Sequence, residues 1–245
     1  GSAISSPATL TVILVDSFGC AGPASDPVSV TVHAPPEKPG ITALDETGFC
    51  SGDSVRLVAD PGYAQYQWSD LSTNDTLVAT SGGTFTVRVA SSLGCWSEQS
   101  DPLLVTVFEN PDAPVLSPSV AQEICQGDSV LLTAPAGYDS YKWNNGDSGK
   151  NIYVRTDGMY SVSVTDNNGC SSQESDAVEV TVNALPPSPV IQADGPLTFC
   201  EGDQVTLQVP GSYTEYRWSD GTTGSSRDVT NPGYFAAQVL DENGC

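Results

Sequence analysis

Hydrophobic and polar residues alternate in short runs along the chain. In one such run Phe85, Val87 and Val89 are separated by Thr86 and Arg88, and a two-residue period of this kind indicates a β-strand with one buried face. Turns rich in Gly, Asp and Asn separate the runs, and no run has the period of an amphipathic helix. The pattern predicts about six or seven short strands in each 70-residue stretch, which favours an antiparallel β-sandwich with almost no helix.

The strand pattern recurs with a fixed period. Three series of residues each recur every 75 residues. They are Cys20, Cys95, Cys170 and Cys245; Cys50, Cys125 and Cys200; and Trp68, Trp143 and Trp218. A constant period predicts one structural unit copied in tandem. We number the copies along the chain as the first (residues 1–34, the last strands only), the second (39–109), the third (114–184) and the fourth (189–245, without its last strand). Because both ends fall within a repeat, we expect this chain to be part of a longer polypeptide.

Proline-rich segments separate the copies. They comprise residues 35–39, 111–114 and 186–189. Proline fixes its own φ and holds the preceding residue in an extended conformation, so each segment is expected to form a short, stiff linker. The copies should therefore be arranged as a rod, with neighbouring repeats of the polypeptide as their main partners.

One tryptophan in each complete copy lies in the third predicted strand. A large ring at this place fills the space between the two sheets of immunoglobulin-like domains, and Trp68, Trp143 and Trp218 are accordingly predicted core residues. The predicted fold class is all-β: a tandem array of small immunoglobulin-like β-sandwich modules joined by short Pro-rich linkers.

Two cysteines 45 residues apart recur in the second, third and fourth copies, one before the second strand and one after the penultimate strand. Pairing within a copy is the simplest connectivity, and it predicts the disulfides Cys50–Cys95, Cys125–Cys170 and Cys200–Cys245 across one end of each sandwich. A loop of this size stabilises a small module by about 4 kcal/mol. Cys20 would have its partner upstream of residue 1. Disulfides indicate an oxidising, extracellular compartment.

A zinc site is the alternative interpretation of the cysteines. Such sites are typically built from closely spaced Cys pairs, often together with His. The sequence has no CxxC pair, and its single histidine, His33, lies in a linker. Disulfides are therefore the favoured interpretation.

The chain is strongly acidic. It has 30 Asp and Glu residues against 8 Lys and Arg residues, which gives a net charge of −22. Such a surface repels polyanions, which argues against nucleic acid and anionic membranes as partners. No apolar run approaches the roughly 20 residues that span a bilayer, so membrane insertion is not expected either.

Enzymatic chemistry finds little support in the sequence. Nucleophilic catalysis needs a base such as histidine beside a free nucleophile, but His33 lies at the end of a copy and the cysteines are assigned to disulfides. Phosphate and dinucleotide motifs need a strand-to-helix turn, which is not predicted. A carboxylate pair for glycoside hydrolysis is compatible with an acidic chain, although small sandwiches seldom offer a cleft. We therefore expect no catalytic residues, no cofactor and no metal site.

Some acidic residues recur in register, and they leave calcium open as an alternative. They are Asp53, Asp128 and Asp203 after Cys-x-Gly, and Asp26, Asp101 and Asp176 before the last strand. The simplest interpretation is that they accept hydrogen bonds from backbone amides in turns. The alternative is that carboxylates at the ends of the copies bind Ca²⁺ and stiffen the linkers.

Trp96 does not belong to the repeat pattern, since its counterparts are Ala21 and Ser171. We favour a structural role for it, as a cover for a disulfide or for a neighbouring copy. The alternative is an exposed ring that stacks on a sugar, which would make the protein a glycan-binding module.

Three motifs carry a resemblance to known repeats. The fourth copy has Phe199-Cys200-Glu201-Gly202-Asp203 and Tyr216-Arg217-Trp218-Ser219-Asp220-Gly221, and the third has Asp166-Asn167-Asn168-Gly169-Cys170. They resemble the immunoglobulin-like repeats found in tandem in very large surface and secreted proteins of Bacteroidota, including gliding-motility-associated adhesins exported by the type IX pathway. The second copy departs from the pattern at Leu93, which replaces the Asn before Gly94-Cys95. The resemblance implies an extracellular location on a bacterial cell surface and no enzymatic activity of the repeats.

The resulting hypothesis is mechanical. We expect a non-catalytic stalk or spacer segment of a bacterial cell-surface adhesin, a stiff rod that presents a distal binding domain in gliding or surface attachment. The alternatives are a glycan- or protein-binding immunoglobulin-like module and an accessory region of a secreted hydrolase.

Overall fold

The computed structural model describes residues 8–245, so residues 1–7 of the first copy lie outside the described part. Residues 8–245 form strands, turns and extended segments without any helix. The chain divides into two compact units, Gly1–Glu109 (unit 1) and Asn110–Cys245 (unit 2).

Unit 1 contains the first and second copies. The strands of the first copy are β1 (Ala8–Leu10), β2 (Ile13–Val15), β3 (Ala21–Ala24) and β4 (Val28–Val30). Those of the second copy are β5 (Ile41–Ala43), β6 (Gly48–Cys50), β7 (Val55–Ala59), β8 (Gln65–Trp68), β9 (Thr76–Ala79), β10 (Gly83–Phe85), β11 (Val87–Ala90) and β12 (Leu103–Phe108).

Unit 2 contains the third and fourth copies. The strands of the third copy are β13 (Gln122–Cys125), β14 (Val130–Thr133), β15 (Ser140–Trp143), β16 (Asn151–Val154), β17 (Gly158–Tyr160), β18 (Val162–Thr165) and β19 (Val178–Asn183). Those of the fourth copy are β20 (Gln192–Ala193), β21 (Val205–Gln208), β22 (Glu215–Trp218), β23 (Ser226–Val229) and β24 (Ala237–Leu240).

The second and third copies have the same two-layer arrangement. In the second copy β7 pairs antiparallel with β5 and β9 in one layer. The other layer combines the antiparallel pairs β8–β11 and β10–β12, and Thr86 alone separates β10 from β11. The third copy repeats this order with β14–β16 in one layer and with β15–β18 and β17–β19 in the other. The all-β, immunoglobulin-like sandwich predicted from the sequence is confirmed.

One short strand in each of these two copies runs parallel to its neighbour. Strand β6 lies beside β12 with Cys50 opposite Phe108, and β13 lies beside β19 with Cys125 opposite Asn183. Each of these short strands ends at the first cysteine of its copy. The direction of the strand therefore decides at which end of the sandwich that cysteine lies.

A hydrophobic core fills each sandwich of the second, third and fourth copies. The main buried side chains are Val55, Leu57, Trp68, Leu77 and Val87 in the second copy, Leu132, Trp143, Ile152, Val162 and Val180 in the third, and Val205, Leu207, Trp218 and Val229 in the fourth. The tryptophans are the largest of them and are at most 2% exposed. Each indole Nε1–H donates to a backbone carbonyl, that of Asn74 at 2.8 Å, Gly149 at 2.9 Å and Gly224 at 3.0 Å. The rings thus fill the cores without leaving a buried donor unpaired.

The first copy has the strands of half a sandwich. Val12 is 64% exposed, whereas its counterpart Val87 in the second copy is 1% exposed. Leu14 is 79% exposed, and its counterpart Val89 is fully buried. The residues that are buried in a complete copy are therefore left open to solvent in the first copy.

The tryptophan of the third copy provides a test of the core. We expect Trp143→Ala to lower the free energy of unfolding by about 3–5 kcal/mol, because it removes a fully buried ring and leaves a cavity. Tyr153→Ala is the matched control, since Tyr153 lies on the neighbouring strand β16 but is 69% exposed. Urea unfolding monitored by circular dichroism measures both variants, and equal losses would contradict the assignment of the core.

Candidate functional site at a disulfide between copies

The parallel strand pair of unit 2 places Cys125 at the far end of the third copy. Cys125 lies opposite Asn183, the last residue of β19. The N–H of Gln126 donates to the carbonyl of Asn183 at 2.8 Å, which continues the pairing by one residue. Cys125 is therefore held at the C-terminal end of the last strand, next to the linker that leads into the fourth copy.

A tight turn follows Cys125 and returns the chain to the sandwich. The N–H of Asp128 donates to the carbonyl of Cys125 at 2.9 Å, and Gly127 has a φ of 102°. That φ is strained for residues with a Cβ, which explains the glycine in the Cys-x-Gly motif. In this turn Asp128 contributes its backbone N–H, whereas the sequence analysis expected its carboxylate to accept hydrogen bonds from backbone amides.

A second turn, built around an aspartate, presents Cys245. The Oδ1 atom of Asp241 accepts hydrogen bonds from the N–H of Asn243 at 2.9 Å and from the N–H of Cys245 at 3.0 Å. The N–H of Asp241 in turn donates to the carbonyl of Cys245 at 2.9 Å. These hydrogen bonds hold the backbone of Cys245 in place independently of its disulfide.

The same turn recurs in the third copy, where it lowers the pKa of its carboxylate. Asp166 Oδ1 accepts from the N–H groups of Cys170 and Asn168, both at 2.9 Å. The hydrogen bond from Cys170 is the main reason why the pKa of Asp166 lies below its usual value, because hydrogen bonds to the charged form favour it. Ser91 takes the place of the aspartate in the second copy, and its hydroxyl accepts from Cys95 at 3.3 Å.

The two turns bring Cys125 and Cys245 together in a disulfide. Their Cα atoms are 5.5 Å apart and they are separated by 120 residues of sequence, a Cα distance that is usual for disulfides. One cysteine belongs to the third copy and the other to the fourth. The bond therefore closes the junction between two successive copies and does not close a single sandwich.

This pairing corrects the prediction made from the sequence. Cys125 does not pair with Cys170, and Cys245 does not pair with Cys200, which is an exposed free thiol. Cys95 is also a free thiol, so the predicted pair Cys50–Cys95 is wrong as well. Cys50 and Cys170 are nevertheless disulfide-bonded. Of the six cysteines predicted to be oxidised, four are.

The directions of the strands explain why the predicted pairing fails. Strand β17 is antiparallel to β19, with Tyr160 opposite Val178 at the start of β19. The turn that carries Cys170 follows β18, so it lies beyond the start of β19, whereas Cys125 lies at its end. A strand of 6 residues spans about 20 Å, and a disulfide bridges Cα atoms no more than about 7 Å apart. The two cysteines of one copy are thus at opposite ends of the sandwich.

The free thiol of Cys95 lies beside the end of the first copy. Its Sγ atom is 4.0 Å from the backbone carbonyl oxygen of His33. His33 is the repeat counterpart of Asn183, and Cys95 is the counterpart of Cys245. The second copy therefore places its cysteine against the first copy in the same way as the fourth copy places Cys245 against the third. The imidazole of His33 has no role in this contact.

Trp96 is partly buried against its own copy. The guanidinium carbon of Arg88 lies 4.7 Å from the centroid of the Trp96 ring, a distance typical of cation–π stacking. Trp96 also forms a β-bridge with Ala90. One face of the ring is thus occupied by a side chain of the neighbouring strand, a contact that the sequence analysis did not predict. Trp96 therefore covers the side chain of Arg88 and does not cover a disulfide, since the adjacent Cys95 is a free thiol.

The recurring aspartates lie in turns and in surface contacts. The N–H groups of Asp53 and Asp203 donate to the carbonyls of Cys50 and Cys200, at 3.0 and 3.1 Å. The carboxylate of Asp101 makes an ion pair with Lys38 at 2.5 Å. Within residues 8–245 no three His, Cys, Asp or Glu side chains are grouped closely enough to hold a metal ion. Binding of Ca²⁺ at the linkers stays a prediction.

Comparison with known proteins gives a distant structural likeness. No protein-family description matches the sequence, and no curated protein matches it. Among solved structures, the human OSCAR ligand-binding domain is similar to this chain at 18% sequence identity and a TM-score of 0.28. The match covers 60% of this chain and 100% of that one. Among the described residues, no helix is long and apolar enough to cross a membrane.

The disulfide of unit 2 is expected to stabilise the fold. We expect the double variant Cys125→Ser/Cys245→Ser to lose about 5 kcal/mol of unfolding free energy, because the chain-entropy estimate for a loop of 120 residues has that size. Cys20→Ser is the control, since Cys20 is an exposed free thiol. Denaturant unfolding without reductant measures the loss. An unfolding midpoint equal to that of the control would contradict the bond.

The aspartate turn predicts a pH dependence. Because the pKa of Asp166 is lower in the folded state than the unfolded value of about 3.9, the carboxylate stabilises the fold at pH above that value. The contribution is lost as the pH falls below about 4 through the folded pKa. Carboxyl ¹³C NMR should show Asp166 titrating at lower pH than an aspartate in a short peptide. Asp166→Asn removes this titration, and a midpoint at the peptide value would contradict the turn.

Proposed function

We propose that this chain is a non-catalytic spacer segment of an extracellular bacterial surface adhesin, which carries a distal binding domain away from the cell. The fold is immunoglobulin-like and contains disulfides, which is typical of extracellular binding or structural domains. The finer assignment to a stalk rests on how the copies are joined.

The disulfide between Cys125 and Cys245 is the observation that carries the proposal. A pulling force that enters unit 2 near its first residues reaches Cys125 soon afterwards and passes through the sulfur atoms to Cys245. Most of the third and fourth copies lies within the closed loop, so the bond limits how far this part of the chain can be extended. A covalent bond that limits extension suits a segment that transmits tension.

Composition supports the same function. The linkers are rich in proline, which restricts bending between copies. The net charge of −22 keeps neighbouring molecules apart in solution and opposes adhesion to anionic surfaces. The resemblance of the repeat motifs to those of Bacteroidota surface proteins supports a location at the bacterial cell surface and a part in gliding or surface attachment.

A glycan-binding function is the weaker alternative. Its best candidate from the sequence is Trp96, but Arg88 already stacks on that ring. A sugar would have to displace the guanidinium or use the other face. The contacts of Trp96 therefore favour the spacer.

Single-molecule force spectroscopy tests the spacer. With intact disulfides, we expect Cys125 and Cys245 to stay joined when the chain is pulled from its ends. Reduction also opens the bonds of Cys50 and Cys170, so it should add at least the contour length of 120 residues, which is about 400 Å at full extension. Without reductant, the variant Cys125→Ser/Cys245→Ser should extend further than the unmodified chain but less than the reduced chain, because Cys50 and Cys170 remain bonded, whereas Cys20→Ser should extend like the unmodified chain. Equal extension of the oxidised and reduced chain would contradict the proposal.

A further inference from the structure

Exposed turns of unit 2 contain Asn-Gly pairs. They are Asn145-Gly146, Asn168-Gly169 and Asn243-Gly244, and all of these residues are exposed. The side chain of an asparagine that precedes glycine can react with the main chain, because the nitrogen of a residue without a Cβ can approach the asparagine Cγ atom. Apart from the adjacent residues, no heavy atom lies within 4 Å of the position that a Cβ would take at any of these glycines. The surroundings therefore leave each pair sterically open to this reaction.

The reaction is a deamidation, and water is its only co-reactant. The backbone nitrogen of the glycine gives up its proton and forms a bond to the asparagine Cγ atom, while the side-chain nitrogen takes up that proton and leaves as ammonia. Water then opens the cyclic succinimide at either of its carbonyl carbons. Opening at one carbonyl gives aspartate. Opening at the other gives isoaspartate, whose main chain runs through the former side chain and is longer by a single carbon atom.

The side chain of Asn145 makes hydrogen bonds that oppose the reaction. Its Oδ1 atom accepts from the N–H of Asp147 at 3.0 Å, and its Nδ2 atom donates to the carboxylate of Asp147 at 2.8 Å. The N–H of Gly146 donates to the carbonyl of Trp143 at 3.0 Å. To bring Cγ onto the nitrogen of Gly146, the side chain of Asn145 has to rotate and break both of its hydrogen bonds. This pair should therefore react slowly.

The side chains of Asn168 and Asn243 are held much less firmly. The Nδ2 atom of Asn168 lies 3.4 Å from Oδ2 of Asp166, which is long for a hydrogen bond. The backbone N–H of Asn243 donates to Asp241, but its side chain makes no hydrogen bond to any described residue. The glycine N–H groups of these two turns donate to the carbonyls of Asp166 and Asp241, each at 3.1 Å, much as in the turn of Asn145. The turns thus differ in how the asparagine side chain is held and not in how the glycine is held.

We propose that Asn168 and Asn243 are sites of spontaneous deamidation, and that isoaspartate formed there loosens the turns that hold Cys170 and Cys245. The N–H of Asp166 donates to the carbonyl of Cys170 at 2.9 Å, and its Oδ1 atom accepts from the N–H of Cys170 at 2.9 Å. These hydrogen bonds fix the length of the loop between them, so a longer main chain no longer fits both. The new carboxylate also adds a negative charge beside that of Asp166, which opposes the folded turn.

Ageing of the purified, oxidised chain tests the proposal. During incubation at mildly alkaline pH and physiological temperature, we expect Asn168 and Asn243 to be converted at least about fivefold faster than Asn145, because of the hydrogen bonds that hold the Asn145 side chain. Peptide mapping by mass spectrometry measures the conversion at each position, and labelling with a protein isoaspartyl methyltransferase identifies isoaspartate.

Two results of the ageing experiment would overturn the proposal. One is conversion of Asn145 at the same rate as Asn168 and Asn243. The other is an unchanged Asn168 after a time in which a short peptide of the same sequence has reacted completely. Neither result would affect the spacer function, which does not depend on these side chains.

Variants of Asp147 test whether hydrogen bonding protects Asn145. Asp147→Ala removes the acceptor for the Nδ2 atom of Asn145 and should speed the conversion of Asn145 about fivefold. Asp147→Asn is the matched control, because it removes the same charge but keeps a side-chain oxygen that can accept this hydrogen bond. It should leave the rate close to that of the unmodified chain. An equal rise in both variants would assign the slow reaction to the charge of Asp147 and would overturn the proposed difference between the turns.

Thermal unfolding of aged samples tests the effect on the turns. The unmodified chain should unfold at a lower temperature after ageing. The variant Asn168→Gln/Asn243→Gln should not change, because a glutamine side chain has to form a larger ring and cyclises much more slowly. Asn167→Gln is the matched control, since Asn167 is exposed in the same turn but does not precede glycine, and it should weaken on ageing as the unmodified chain does. Equal weakening of the double variant and the unmodified chain would show that isoaspartate does not loosen these turns.

Discussion

The parallel pairing of a short cysteine-bearing strand with the last strand of its copy is the constraint on which the rest of the structure depends. It carries Cys125 to the end of β19, beside Asn183. The second cysteine of the same copy follows a strand that is antiparallel to β19, so it is left at the opposite end. The two cysteines of one sandwich are therefore too far apart to form a disulfide with each other. Cys125 instead bonds to a cysteine of another copy.

The disulfide therefore lies at the junction between two successive copies and not within one sandwich. On one side a parallel strand and a glycine turn hold Cys125, and on the other the Asp241 carboxylate holds the backbone of Cys245. Both arrangements fix the cysteines through backbone hydrogen bonds. The same geometry recurs in unit 1, where Cys95 is placed against the first copy as Cys245 is placed against the third.

The sequence was sufficient to predict the fold, because the period of 75 residues and the alternation of strands depend on local properties. The burial of Trp68, Trp143 and Trp218 followed from their place in the third strand. The pairing of the cysteines could not be predicted in this way, since it depends on the direction of one short strand relative to another 58 residues later. One signal was present: the residue before each first cysteine is apolar, namely Phe49, Ile124 and Phe199. These side chains pack against the cores of their copies, but they do not indicate the direction of the segment. Trp96 was predictable only as an exception to the repeat, because its partner Arg88 is set by strand register.

Cleavage of the linker between the third and fourth copies tests the central claim most directly. A protease site introduced into residues 186–189 would cut the chain at a point that the Cys125–Cys245 disulfide spans. If the bond joins the two copies, the fragments will stay together in denaturant without reductant and will separate when reductant is added. If each copy closed its own disulfide, the fourth copy would be released in denaturant by cleavage alone.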